Sequence, residues 1–113
     1  MITIYGIKNC NKIRDTIKWM DEKGTEYKFI DVKKDPIKKE KLADLVNKLG
    51  LDTVINKRGM KWKQLGLGKK ELTDKELFDK LAEHQTMIKR PLLVEGEAAI
   101  IGYDEDAFET FIS

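Results

Sequence analysis

The feature that most constrains this chain is its opening. Ile2 and Ile4 alternate with Thr3 and Tyr5, a short strand pattern that stops at Gly6. Ile7, Lys8 and Asn9 form a loop into a helix over roughly residues 10–23. Its apolar stripe is Ile13, Ile17 and Met20, and Gly24 stands where a C-terminal cap belongs. Tyr27, Phe29, Ile30 and Val32 read as a second strand, closed by Lys33, Lys34 and Asp35. Strand, tight loop, helix and strand make a right-handed crossover, so the two strands run parallel.

Further on, Asp35 and Pro36 predict a helix start, with the acid as N-cap and the proline in the first helical position. Leu42, Leu45, Val46 and Leu49 give that helix a core face, and Gly50 ends it. Val54 and Ile55 read as a shorter buried turn. Thr73 and Glu76 have capping-box spacing, with Leu77, Phe78 and Leu81 on one face after them. Residues 91–94 and 98–101 flank Glu95-Gly96-Glu97, a hairpin signal, and Asp104 can cap a last helix carrying Ala107, Phe108, Phe111 and Ile112. Trp19 lies off the first helix's stripe and is expected to be partly exposed. The order β-α-β, helices, β-β-α predicts an α/β fold in one domain over residues 1–113. Without the middle helices it resembles the thioredoxin-like order, a four-stranded mixed sheet. Residues 33–88 then form a helical insertion at one end of that sheet.

A chain of 113 residues, 41% hydrophobic and 37% charged, can bury a real core. Its net charge of +2, with acids and bases mixed along most of it, demands neither a membrane nor direct nucleic-acid binding. No apolar run approaches the roughly 20 residues of a membrane span, and the first residues lack a signal-peptide pattern. Cytoplasmic location is the expectation, since one cysteine allows no internal disulfide and fits a reducing compartment. With His84 the only histidine, read as a helix-end residue, and no phosphate loop or ligand cluster, no metal or bound cofactor is expected.

Chemistry therefore concentrates on Cys10. A cysteine at the junction of loop and helix faces the first unpaired N–H groups and the positive end of the helix dipole. Both favour a thiolate, the nucleophilic form of sulfur. Lys8, Lys12 and Arg14 add positive charge, and Asn9 and Asn11 add donors. The position three residues on, where a redox pair would carry its second cysteine, is Ile13. Any disulfide of Cys10 must therefore be intermolecular, with glutathione or another protein's thiol. Residues 56–70 hold six bases and no acid. Most of them read as a solvated stretch that Trp62 anchors to the core, with Arg58 kept as an anion-site candidate.

Several segments resemble the arsenate reductase (ArsC) family, which includes YffB-type proteins and the Spx/MgsR regulators. They are Tyr5-Gly6-Ile7-Lys8-Asn9-Cys10, the stretch from Trp62 to Leu67, Ile88-Lys89-Arg90-Pro91-Leu92, and Gly102-Tyr103-Asp104-Glu105-Asp106. The resemblance runs from Ile2 to Phe111. It implies a thioredoxin-like core with a helical insertion, Cys10 as nucleophile, glutathione as co-substrate and glutaredoxin as recycling partner. It also implies a cis Pro91 beside the reactive cysteine. In the family's reductases three arginines hold the oxyanion, as planar fork donors suit such groups. Arg90 matches one; the second aligns with Asn56, two residues before Arg58; the third aligns with Gly102. The resemblance is thus closer to the YffB type, assigned as glutathione-linked thiol reductases. The expected site is Cys10 with Arg90, Arg58, Asn9, Lys8 and Asn11 around the anion, and Pro91 as its structural support. The alternative implied by the same resemblance is a regulator of the Spx/MgsR type that docks on the C-terminal domain of the RNA polymerase alpha subunit. Gly50 matches a glycine of that contact, but the reductases carry glycine there too, and Ile13 removes the regulators' usual Cys-x-x-Cys switch.

Overall fold

The computed structural model describes all of residues 1–113. The opening unit is β1 (Ile2–Gly6), α1 (Asn11–Glu22) and β2 (Tyr27–Asp31), followed by α2 (Lys39–Leu49), α3 (Leu51–Val54), α4 (Met60–Gln64) and α5 (Asp74–Glu83). The chain closes with β3 (Leu92–Glu95), β4 (Ala98–Ile101) and α6 (Glu105–Ile112). The strands form one mixed sheet in the order β2-β1-β3-β4. β1 runs parallel to β2, with Ile4 opposite Phe29, and antiparallel to β3, with Ile4 opposite Leu93; β3 and β4 form the hairpin. This is the mixed α/β, thioredoxin-like sheet that the element order predicts.

Strand alternation explains why the sheet carries a core on each face. Ile2, Ile4 and Leu93 point to one side and pack with Ile13, Trp19, Met20 and Phe108 from α1 and α6. Tyr5, Leu92 and Val94 point to the other side and pack with Leu42, Leu45 and Leu81 from the inserted helices. The insertion thus covers a whole face of the sheet instead of standing at one end of it. A strand apolar on both faces, such as Leu92-Leu93-Val94, has no solvent side to spare. Gly6 marks the closest approach of α1 to β1: a Cβ there would lie 2.2 Å from the Ile13 side chain, so only glycine fits without a shift.

Local capping signals appear where the sequence places them. Thr73 and Glu76 form a reciprocal capping box at 3.2 and 3.1 Å, and Asp104 accepts from the N–H groups of Asp106 and Ala107. Two expectations fail. The second helix begins at Lys39, not at Asp35-Pro36. Both backbone polar groups of Ile37 are held at 2.7 Å by the buried side-chain amide of Gln85, which keeps the chain extended through the intended first turn. Trp19 is buried at 8% exposure, because α6 brings Phe108 edge-on to its ring at 5.4 Å and Lys23 stands over it at 5.3 Å. Docking of α6 widens the buried stripe of α1 beyond what its own periodicity indicates. No helix is long and apolar enough to cross a membrane.

Candidate active site

The route from β1 to α1 decides how Cys10 is presented. Asn9 takes a left-handed conformation at φ 63°, which asparagine tolerates better than most residues. The turn delivers Cys10 to the N-cap of α1, in extended backbone at φ −106°. Its carbonyl accepts from Arg14 N–H at 2.9 Å, but its side chain makes no capping bond. The thiol is half-buried, packed on one side against the α1/α6 core. No acid lies in the first turn of α1, so nothing there competes for the free N–H groups of the helix end. Position 13, three residues on, is a core isoleucine at 3% exposure.

A second arrangement is made by pairing far along the chain. Ile55 and Ile88 form an isolated antiparallel bridge. Asn56 N–H donates to the Met87 carbonyl and Lys89 N–H to the Val54 carbonyl, both at 2.8 Å. The bridge sets Asn56-Lys57-Arg58 alongside Lys89-Arg90. A turn after Ile55 is fastened by Asn56, whose side-chain oxygen accepts from Arg58 N–H at 3.1 Å. The Arg90–Pro91 peptide is cis, as expected, and Pro91 is fully buried. Its carbonyl accepts from Gly102 N–H at 2.9 Å.

These segments meet in an open cleft of about 790 Å³ whose walls include Cys10, Asn11, Asn56, Arg58, Arg90 and Gly102. Lys12, Lys57 and Lys89 add charge, and Asp52 is the only acid. Lys57 is paired with Asp52 at 3.0 Å. Lys12, Arg58, Lys89 and Arg90 make no ion pair, so the cleft presents four uncompensated cations around a thiol. Such a field attracts anionic substrates.

Of the residues singled out from sequence, Cys10, Asn11, Arg58 and Arg90 share this cleft, with Pro91 behind it. Lys8 and Asn9 do not line it. Asn9 is spent on the backbone turn, and that turn leaves Lys8 over the end of β2, in a hollow with Asp31 and Lys34. Lys57, Lys89 and Asp52 are site residues that the sequence reading misses. Lys89 adjoins Arg90, which is a usable signal, but nothing local marks the other two. Tyr103, next to Gly102, hydrogen-bonds Glu105 at 2.6 Å. That bond pushes the pKa of its hydroxyl up to about 12, so it is a committed donor and not a free acid.

The family model described as the ArsC family matches residues 5–111. The chain belongs to the ArsC family. YusI of Bacillus subtilis is 37% identical over 112 residues, covering 96% of this ArsC-family chain and 95% of that protein. The global transcriptional regulator Spx of Listeria innocua is 22% identical over 114 residues, covering 99% and 87%. Among solved structures, a YffB protein superposes with a TM-score of 0.91 at 29% identity, covering all of both chains. An arsenate reductase from Vibrio cholerae gives a TM-score of 0.81 at 28% identity, covering 96% and 95%. Proteins similar to this chain thus include one described as a reductase and one described as a regulator.

Proposed function

We propose that this ArsC-family protein is a cytoplasmic monothiol reductase that works with glutathione, using Cys10 as nucleophile. The observation that carries the reading is the lone thiol at a helix N-cap, opening on a cleft with four unpaired cations. Glutathione bears two carboxylates, and Arg90, Arg58, Lys89 and Asn11 offer donors for them. The Cys10 thiolate attacks a sulfur of a glutathione-containing disulfide. The old S–S bond breaks, the leaving thiolate takes a proton from solvent, and Cys10 is left bonded to glutathione. A second glutathione, or the thiol of a glutaredoxin, attacks that adduct and releases the Cys10 thiolate. In each step the attacking thiol enters a disulfide as the leaving sulfur returns to a thiol, so one external thiol is consumed per cycle and no second cysteine of this chain is required. Arg90 is the anion anchor, and Pro91 supports it.

The test is mass spectrometry after incubation with oxidised glutathione. One adduct of a single glutathione is expected on the folded protein, and none on Cys10→Ser. A thiol that reacts only after denaturation would overturn the proposal.

One observation favours a second reading, a regulator that docks on the C-terminal domain of the RNA polymerase alpha subunit: the likeness to Spx spans nearly the whole chain. The reductase reading stands ahead because the switch cysteine's position is filled by Ile13, buried in the core. A pull-down with that polymerase domain, in parallel with the glutathione assay, separates the two.

A further inference from the structure

Beside the Cys10 cleft lies a second hollow of about 510 Å³, and the two share Asn56 and Arg90 as walls. Its character differs. Ile7, Pro36, Met60, Trp62 and Met87 supply an apolar lining. Lys33, Lys61 and the shared Arg90 stand against one acid, Glu83, which lies 3.5 Å from the imidazole of His84, so this hollow is less cationic than the Cys10 cleft as well as more apolar. Met60 is 74% exposed, and apart from the terminal Met1 it is the only large apolar side chain so open to water. Trp62 is half-buried, packed on one side against the inserted core. Its indole N–H makes no hydrogen bond within the chain. An aromatic ring and a flexible thioether left at a pocket mouth are the groups that accommodate apolar ligands of varied shape.

We propose that this hollow is the subsite for the second half of the substrate, and that the substrate class is an unsymmetrical disulfide joining glutathione to an apolar, preferably aromatic, thiol. The inference rests on the reading of Cys10 as the nucleophile of a glutathione-linked reductase. The two compartments differ in lining: the anionic tripeptide belongs in the cleft with the larger excess of cations, and the apolar thiol against Met60, Trp62 and Met87 across the Asn56–Arg90 wall. Cys10 attacks the glutathione sulfur, the S–S bond breaks, and the apolar thiolate leaves from the second hollow after protonation by solvent. A further glutathione then reduces the adduct, giving oxidised glutathione and one apolar thiol per cycle.

Two measurements test it. In the first, Cys10→Ser protein is titrated calorimetrically with the unreactive thioethers S-benzylglutathione and S-methylglutathione. The benzyl compound should bind about tenfold more tightly, the worth of partly burying one aromatic ring. Trp62→Ala should cut that ratio to about threefold or less. Met60→Ala, at a position too exposed to disturb folding, should also reduce it, and serves if the tryptophan variant does not fold. Equal affinities in the unsubstituted pocket, or a ratio that neither substitution changes, would overturn the subsite. The second measurement compares turnover of the glutathione mixed disulfides of benzyl mercaptan and 2-mercaptoethanol, both alkyl thiols of similar leaving ability. A kcat/KM preference for the benzyl compound that falls in Trp62→Ala is expected. A benzyl preference in binding without turnover of either disulfide would overturn the reductase reading, while the pocket's selectivity would stand.

Discussion

Ile55, in the middle of the inserted helical region, and Ile88, at its end, pair as a single antiparallel bridge. Both are buried, at 1% and 2% exposure. The pairing lays Arg58 and Arg90 along one wall of the cleft that holds Cys10. The bridge is thus both a piece of core and the device that assembles the cationic rim.

Truncation of either partner should therefore be felt twice. Ile88→Ala removes buried methyl groups and leaves a void, at a cost of about 2–4 kcal/mol. Denaturant unfolding should report that loss. The rate of glutathione adduct formation on Cys10 should fall further than the folded fraction alone accounts for, since the Arg58 and Arg90 segments lose their register.

The two arginines should not be equal. Arg90 is half-buried and Arg58 exposed, and a charge-assisted hydrogen bond of roughly 1.5–3 kcal/mol is eroded by solvent and salt at the exposed position. Arg90→Ala should lower kcat/KM with glutathione disulfides about tenfold or more, and Arg58→Ala by less. Steady-state assays at two ionic strengths distinguish them. Unchanged kinetics in Arg90→Ala would remove it from the site.

Arsenate should be a poor substrate, because Gly102 supplies no side chain where the family's reductases carry an arginine. A Cβ at Gly102 meets nothing within 4 Å, although its φ of 91° costs an L-residue about 1–2 kcal/mol. Gly102→Arg should thus fold with a lowered melting temperature and bind arsenate about tenfold more tightly, the worth of one added ionic contact. Competition of arsenate against alkylation of Cys10 measures this.

Gln85 should matter more than its type implies. Its side-chain amide answers both the N–H and the carbonyl of Ile37 at 2.7 Å, and donates to the Ala82 carbonyl at 3.3 Å. Gln85→Leu keeps the volume but strands both groups of Ile37, at a cost of about 1–3 kcal/mol. Amide exchange at Ile37 should speed up, together with that of its neighbours around Pro36 at the mouth of the second hollow.

Acid should loosen α5 first at its start. The Glu76 carboxyl is held below its ordinary 4.5, chiefly by the hydrogen bond from the Thr73 backbone and then by the Thr73 side chain. A depressed carboxylate contributes stability that is present above its unfolded value and lost as pH falls through the folded one. The difference in melting temperature between the natural protein and Glu76→Gln should thus be present at neutral pH and shrink below about pH 4.5. A difference independent of pH would mean that the capping charge has no part in it.

The sequence by itself determined the order of elements, the parallel opening pair, the closing hairpin, the capping residues of α5 and α6, and the fact that Cys10 has no partner in its own chain. Those features are written in spacings of a few residues: period 2 in β1, period near 3.6 in α1, a capping threonine three residues before its glutamate. Tertiary structure decided the rest. Asp35-Pro36 carries a sound local start signal, yet Gln85 claims the backbone of Ile37 and the helix waits until Lys39. Trp19 sits off the stripe of its own helix, yet α6 buries it. Lys8 is as near to Cys10 in sequence as Lys12, but a left-handed turn at Asn9 sends only Lys12 into the cleft. Lys57, Lys89 and Asp52 come to share a cleft with the thiol through the Ile55–Ile88 bridge. A local pattern specifies which face of an element is apolar. It does not specify which elements meet across that face, because that depends on contacts between residues far apart in the chain, and the cationic cleft is made of just such contacts.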